Sequence, residues 1–414
     1  MNNLNTYIEI AWKSLKQQKS RTILTIMALS IGIALLIIML AAGQGLKSLV
    51  LSQLDIYNPN TISIEVKVPG KTNATNATAM ASGSTITTFK NSDVDAIAKV
   101  KNVESLFAYV TGQEIFKYKN ANKTVIIYGY GATAPDIQKI DFSNGRFYTS
   151  DEEDSLSQVV VLGSKLKQDL FGDQDAIGEN VYVKSFPFRV VGVVKSQGGS
   201  SFVDMDSIAY IPTKTMQKKI LGTDYVLGAL IQVKDPDKIN ETKDDLQFLM
   251  EDRHNITDPD KDDFQLTTMA EARDMIDTIL NSITLLLVAL TFISLLVGGV
   301  GITNIMYVSV IERTFEIGLR RSVGAKKEDI LWQFLAEAII QTLFGGIVGI
   351  IFGSGVAFAI YYVAVSFGLS WTYSVSFLSI LLALIFSAVL GLAFGVYPAR
   401  QAANLDPITA LKKD

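Results

Sequence analysis

Gly70-Lys71-Thr72 is the first place in the chain where side chains could do chemistry, because a Gly-Lys-Thr ending closes a phosphate-binding loop around nucleotide. That loop needs another glycine five positions earlier, and Glu65 stands there, so the motif is incomplete. Asp258, Asp260, Asp262 and Asp263 open like a calcium loop. Asp263 holds the position that needs glycine and Met269 the position of the bidentate glutamate, so a solvated acidic turn is expected. Asp151–Asp154 reads the same way. His254 is the sole histidine and there is no cysteine, which excludes a His/Cys metal cluster and a histidine-based triad. We expect His254 at the surface, no catalytic group and no metal. A net charge of −4 and a pI near 5.3 give no sign of nucleic-acid binding.

A different kind of chemistry is legible in Ile311–Gln333, IERTFEIGLRRSVGAKKEDILWQ. Glu312, Arg313, Glu316, Arg320 and Arg321 interleave there with apolar Phe315, Ile317 and Leu319, around a Gly324-Ala325 turn. An apolar stripe edged by both charge signs suits docking to another protein. An ordinary positively charged loop between two membrane helices is the other reading.

The elements that must hold this segment are set by where charge is missing. Ala338–Ala399 runs 62 residues without Asp, Glu, Lys or Arg. An ionised side chain at a membrane helix centre costs roughly 2.5–3.5 kcal/mol on insertion scales. A crossing takes about 20 apolar residues, so this run makes two, turning at Ser366–Ser376. Ile23–Ala42 and Thr278–Ile311 supply two more, with 20 and 34 uncharged residues. The 34-residue run exceeds a perpendicular span, which predicts tilt or a stalk. The expected segments are an amphipathic helix at 1–22, membrane helices at 23–43, 278–311, 331–365 and 377–399, a loop at 312–330 and a tail at 400–414. A signal peptide is disfavoured, because its apolar core would be about 7–15 residues. Lys13, Lys16, Lys19 and Arg21, the 312–330 loop, and Arg400, Lys412 and Lys413 place both termini in the cytoplasm by the positive-inside rule.

Residues 44–277 then form an extracytoplasmic domain. Short alternating apolar runs such as Thr61–Val68 and Phe188–Lys195, mixed with helical stretches, predict an α+β fold. Within the membrane, Gly345, Gly349 and Gly353, then Gly391 and Gly395, then Ala28 and Gly32, repeat at the small-xxx-small spacing. Packing inside one subunit and a dimer seam both fit that spacing. Gly298, Gly299 and Gly301 could loosen the second helix. Glu337 is the one charge within the expected third membrane helix, and an interfacial place beside a basic residue is expected for it.

With these residues in view, Asn304–Gly353 and Tyr397–Leu411 resemble the signature of MacB/FtsX-type ABC transporter permeases. Gly163–Val194 is similar to the outer-domain motif of the MacB branch, with Ala176 where the family usually has proline. The resemblance implies a homodimer with four membrane helices per chain and a two-lobed outer domain between helices one and two. It also implies a coupling helix resting on an ABC ATPase that holds ATP and Mg. Carried onto this chain, the coupling contacts are Glu312, Arg313, Glu316, Gly318, Arg320, Arg321, Gly324 and Ala325. With only 22 residues before the first membrane helix, the ATPase is expected on a separate polypeptide. A periplasmic-adaptor-like protein is a further implied partner. The implied activity is a MacB-like exporter in the bacterial cytoplasmic membrane, working by mechanotransmission on antibiotics, peptides or similar molecules. An FtsX-like complex controlling a cell-wall hydrolase or sensor, and a lipoprotein-releasing permease, are the alternatives.

Overall fold

A computed structural model describes residues 19–69, 86–196 and 204–411. The expected helix at 1–22 and the Gly70-Lys71-Thr72 motif lie largely outside them. Two compact units emerge. One is the helical bundle formed by the first helix to Ser48, Thr278–Ser366 and the chain from Trp371 on; the other holds Leu49–Asp277 with Phe367–Ser370.

Helix α1 (Lys19–Ser52) starts from the first uncharged run and continues past its expected end at 43. In the domain that follows, β1 is Thr61–Val66 and α2 is Asn91–Ile97. A long hairpin of β2 (Val103–Tyr118) and β3 (Ala121–Tyr130) comes next. Then come β4 (Phe142–Gly145), β5 (Val159–Leu162), α3 (Ser164–Phe171), β6 (Asn180–Val183) and β7 (Phe186–Val194). Strands β8 (Ala209–Pro212) and β9 (Gly228–Val233), helix α4 (Ile239–His254) and strand β10 (Phe264–Thr268) complete it. One ten-stranded sheet runs β10-β1-β9-β2-β3-β8-β5-β7-β4, with β6 pairing β2 and β7. The domain is α+β. Strand β1 shows why its alternation reads as a strand: Ile62, Ile64 and Val66 bury in the core, while Ser63 and Glu65 face the other way. Strands β2, β4 and β10 have no counterpart among the sequence expectations. Glu104, Glu114 and Lys117 interrupt the apolar pattern of β2, and its pairing with β3 and β9 is what makes it a strand.

His254 contradicts the expected surface position. Its side chain is 8% exposed, with Nδ1 2.8 Å from Asp263 and Nε2 3.5 Å from Asp93. Arg253 Nε donates to Asp93 at 2.7 Å. Asp263 therefore serves this ion cluster, and Asp262 accepts from Gln247, so the acidic turn is tied into the fold. The hydrogen bond to Asp263 holds the imidazole above its ordinary value, against the opposing pull of burial, with Asp93 acting in the same direction as Asp263. A raised folded-state value contributes stability that is complete below the unfolded value of about 6.5 and is lost as pH rises through the folded one. Hydrogen exchange of α4 amides, corrected for intrinsic rate, should show protection falling as pH rises above about 6.5. His254→Asn should abolish that dependence, and an unchanged profile would refute the linkage.

Beyond β10, Thr268 caps a continuous 44-residue helix, α5 (Met269–Glu312). The Thr268 hydroxyl accepts from the Glu271 amide at 3.1 Å and the Glu271 carboxylate accepts from the Thr268 amide at 2.9 Å. Helices α6 (Thr314–Ser322), α7 (Lys327–Ser366), α8 (Phe377–Ala403) and α9 (Pro407–Leu411) follow. Four helices, α1, α5, α7 and α8, are long and apolar enough to cross a membrane. Their small residues pack within the chain. A Cβ on Gly349 would sit 2.7 Å from the Ser30 carbonyl of α1, and one on Gly353 would sit 2.8 Å from that of Ala34. Gly345 meets Leu29 of α1, Gly391 meets Thr342 of α7, Gly395 meets Ala338 of α7, and Gly32 meets Leu295 of α5. Ala28 itself is exposed. Helix α5 runs unbroken through Gly298, Gly299 and Gly301, and Gly299 instead makes room for the Phe394 ring.

Candidate functional site: the turn between the second and third membrane helices

The α5 helix stops at Glu312 because Arg313 leaves helical geometry and becomes the residue before α6. From this corner the Arg313 guanidinium reaches α7, where Nη1 donates to both Glu337 oxygens at 3.1 and 3.2 Å. The Glu337 side chain is 2% exposed and that of Arg313 13%. A buried carboxylate is tolerated when paired and hydrogen-bonded, so this contact ties the loop to the bundle. Sequence reasoning anticipated a basic partner for Glu337 but not which one, since the two residues lie 24 positions apart.

Helix α6 buries Ile317 and Gly318. A Cβ on Gly318 would lie 2.7 Å from the Ala410 Cβ of α9, so glycine there permits the close approach of the C-terminal helix. Phe315, Leu319 and Val323 are 57%, 51% and 81% exposed. At four-residue spacing they form one stripe along the opposite side. Ile317 does not join Phe315 and Leu319, because two residues along a helix turn a side chain to the other side. Val323, which the sequence reading did not include, follows Leu319 at the same four-residue spacing and caps the C-terminal end of α6.

The remaining predicted contacts surround this stripe. Glu316 and Arg320 form an ion pair one turn apart. Arg320 Nη1 also donates to the Gln333 side chain of α7 at 2.7 Å, and Arg321 Nη1 donates to the Ala325 carbonyl at 3.3 Å. Gly324 has φ +105°, a conformation that a side chain would strain, and it ends the segment before α7. Glu312, Lys326 and Lys327 are exposed. The turn thus brings Glu316 and Arg320 to the edge of an exposed apolar face, while Arg321, one turn after the buried Ile317, lies on the opposite side. It turns Arg313 and Gly318 inward, where they fasten the helix to its own chain. Among the described residues no group of metal-ligating side chains is present.

Four membrane-crossing helices, an α+β domain between the first and second, and a short amphipathic helix between the second and third define a multi-pass membrane protein of the permease type. Residues 22–249 match the MacB-like periplasmic core domain, and residues 288–407 the FtsX-like permease C-terminal region. The "Macrolide export ATP-binding/permease protein MacB" of Wolinella succinogenes is 32% identical over 98% of this chain and 60% of its own length. The protein of the same name from Chlorobium luteolum is 34% identical, again over 98% and 60%. The crystal structure of the periplasmic region of MacB from Actinobacillus actinomycetemcomitans aligns with 55% of this chain and 97% of its own, at 24% identity and a TM-score of 0.46. The chain belongs to the MacB/FtsX permease family. It spans about three-fifths of the length of the curated relatives it matches.

Proposed function

We propose that this chain is the permease subunit of an ABC exporter, moved by ATP that a separate ATPase polypeptide binds with Mg and hydrolyses. The observation that carries the reading is the α6 face. Phe315, Leu319 and Val323 stand exposed on a helix that Arg313–Glu337 and Gly318–Ala410 fasten to the bundle. Apolar side chains displayed on an anchored helix, rimmed by Glu316 and Arg320, suit an ATPase groove. Such a helix also transmits a push into α5 and α7, which flank it in sequence.

In this reading the α6 turn and both termini face the cytoplasm and the sheet domain lies outside, as the Lys/Arg distribution favours. Two copies work as a homodimer in the bacterial cytoplasmic membrane. Closure of two ATPase subunits beneath α6 tilts the bundles and moves the outer domains, which pass cargo onward with a periplasmic-adaptor-like partner. The relatives are named for macrolide export, and the cargo class proposed here is antibiotics, peptides or similar molecules.

The test is the double variant Leu319→Asp/Val323→Asp, measured by affinity for the ABC ATPase in nanodiscs and by stimulated ATP hydrolysis. Both side chains point away from the bundle, so the fold should survive. Affinity should fall at least about tenfold, or about 1.4 kcal/mol. Undiminished binding and hydrolysis would overturn the assignment of α6. Charge reversal at Arg320 is less clean, because it also breaks contacts to Glu316 and Gln333.

A further inference from the structure

The sheet domain carries a half-open cavity of about 980 Å³ on the face of β1 opposite the main core. That volume is at the upper end of small-molecule pockets. Its floor is built by register. Glu65 of β1 and Tyr109 of β2 both pair with Gly228 of β9, one on each side. A Cβ at Gly228 would lie 2.6 Å from the Tyr109 hydroxyl, so the bare glycine lets the tyrosine lie across the strand. There the Tyr109 hydroxyl faces the Glu65 carboxylate. Tyr57, Tyr128 and Tyr130 complete an aromatic wall, and Met269 lines it as well.

Burial holds the Glu65 carboxyl above its ordinary range, and only the Tyr109 hydrogen bond draws it back. Burial also pushes the Tyr57 phenol up to about 12, so it stays neutral. Among the described residues no lysine or arginine forms an ion pair with Glu65. Lys67 also lines the space, but its charge acts on Asp262. Lys139, Asp141 and Lys195 are exposed at the mouth. The cavity therefore offers one inward carboxylate among tyrosine rings, and no described cation neutralises it.

We propose that this cavity binds an organic cation: a positively charged nitrogen group paired with Glu65, on an apolar or aromatic body lying against the tyrosines. Ring faces attract cations, and a desolvated carboxylate without a cation gains most from one. The inference rests on the exporter reading only in making this ligand cargo; the binding itself needs no ATPase.

The experiment uses the full chain in nanodiscs without ATPase, with empty nanodiscs subtracted. The lipophilic cation rhodamine 6G is the probe, followed by fluorescence anisotropy, and the anion 8-anilinonaphthalene-1-sulfonate is the control. Saturable rhodamine 6G binding is expected. Glu65→Gln, which keeps size and can still accept from Tyr109, should weaken it at least about tenfold while leaving the anion unweakened. Tyr109→Phe, which keeps the ring, should weaken the cation less than Glu65→Gln does. Near-ultraviolet circular dichroism checks that each variant is folded. No saturable cation binding, equal binding to wild type and Glu65→Gln, or equal loss for cation and anion would each overturn the proposal. Because no nucleotide is involved, such failure leaves the α6 reading standing, and failure of the α6 test leaves this one standing.

Discussion

Replacing Arg313 with alanine should destabilise the helical bundle by about 3–5 kcal/mol. The substitution removes the guanidinium that donates to both Glu337 oxygens and leaves a carboxylate 2% exposed without that cation. Near the membrane, water cannot easily restore what the arginine supplied. Most of the loss should therefore come from the stranded charge and little from the pair's net worth. That separation is measurable. Arg313→Met/Glu337→Met, which removes both charges, should recover most of the stability that Arg313→Ala loses. It should not recover coupling if the pair also fixes the angle between α6 and the bundle. Unfolding in mixed detergent micelles gives the first quantity, and ATPase stimulation gives the second. A single variant as stable as the wild type would show that Glu337 does not depend on Arg313.

The second large effect concerns the contact of α1 with α7. A side chain at Gly353 would meet the Ala34 carbonyl oxygen at 2.8 Å and its Cα at 2.9 Å, both backbone atoms that no rotamer change can move aside. Gly349 faces the Ser30 carbonyl at 2.7 Å in the same way. Valine at either position should cost about 1–3 kcal/mol by overpacking, and valine at both should separate the helices. Gly355 lies two residues further along the same helix with nothing within 4 Å of a Cβ, which makes Gly355→Val the matched control. Its stability should match the wild type in the same micelle unfolding assay. Equal behaviour of Gly353→Val and Gly355→Val would show that close backbone approach is not what joins α1 to α7.

These two cases also mark how far the sequence could be read. The spacing of Gly345, Gly349 and Gly353 identified a packing surface but left open whether it faced its own chain or another copy. Any helix that comes close enough satisfies the spacing, and only the observed Leu29, Ser30 and Ala34 contacts name α1. The 311–333 segment was legible as a docking element from its mixed charges, yet its inward and outward residues were not separable. Treating Phe315, Ile317 and Leu319 as one stripe amounts to a strand-like alternation, and the helix places Ile317 against the bundle instead. Strand β2 escaped detection because Glu104, Glu114 and Lys117 break its alternation, and its pairing with β3 and β9 holds it as a strand regardless.

The sequence by itself determined that this is a four-span membrane protein with a large α+β domain after the first span. Water and lipid impose that outcome on charge and apolar run length one segment at a time, so no distant contact is needed to read it. The tertiary structure alone decided that Glu337 takes Arg313, that His254 sits inside between Asp93 and Asp263, and that Glu65 and Tyr109 meet over Gly228. Each of those pairings joins residues far apart in the chain or on separate strands or helices. Their partners are chosen by strand register and helix packing, which local composition does not encode.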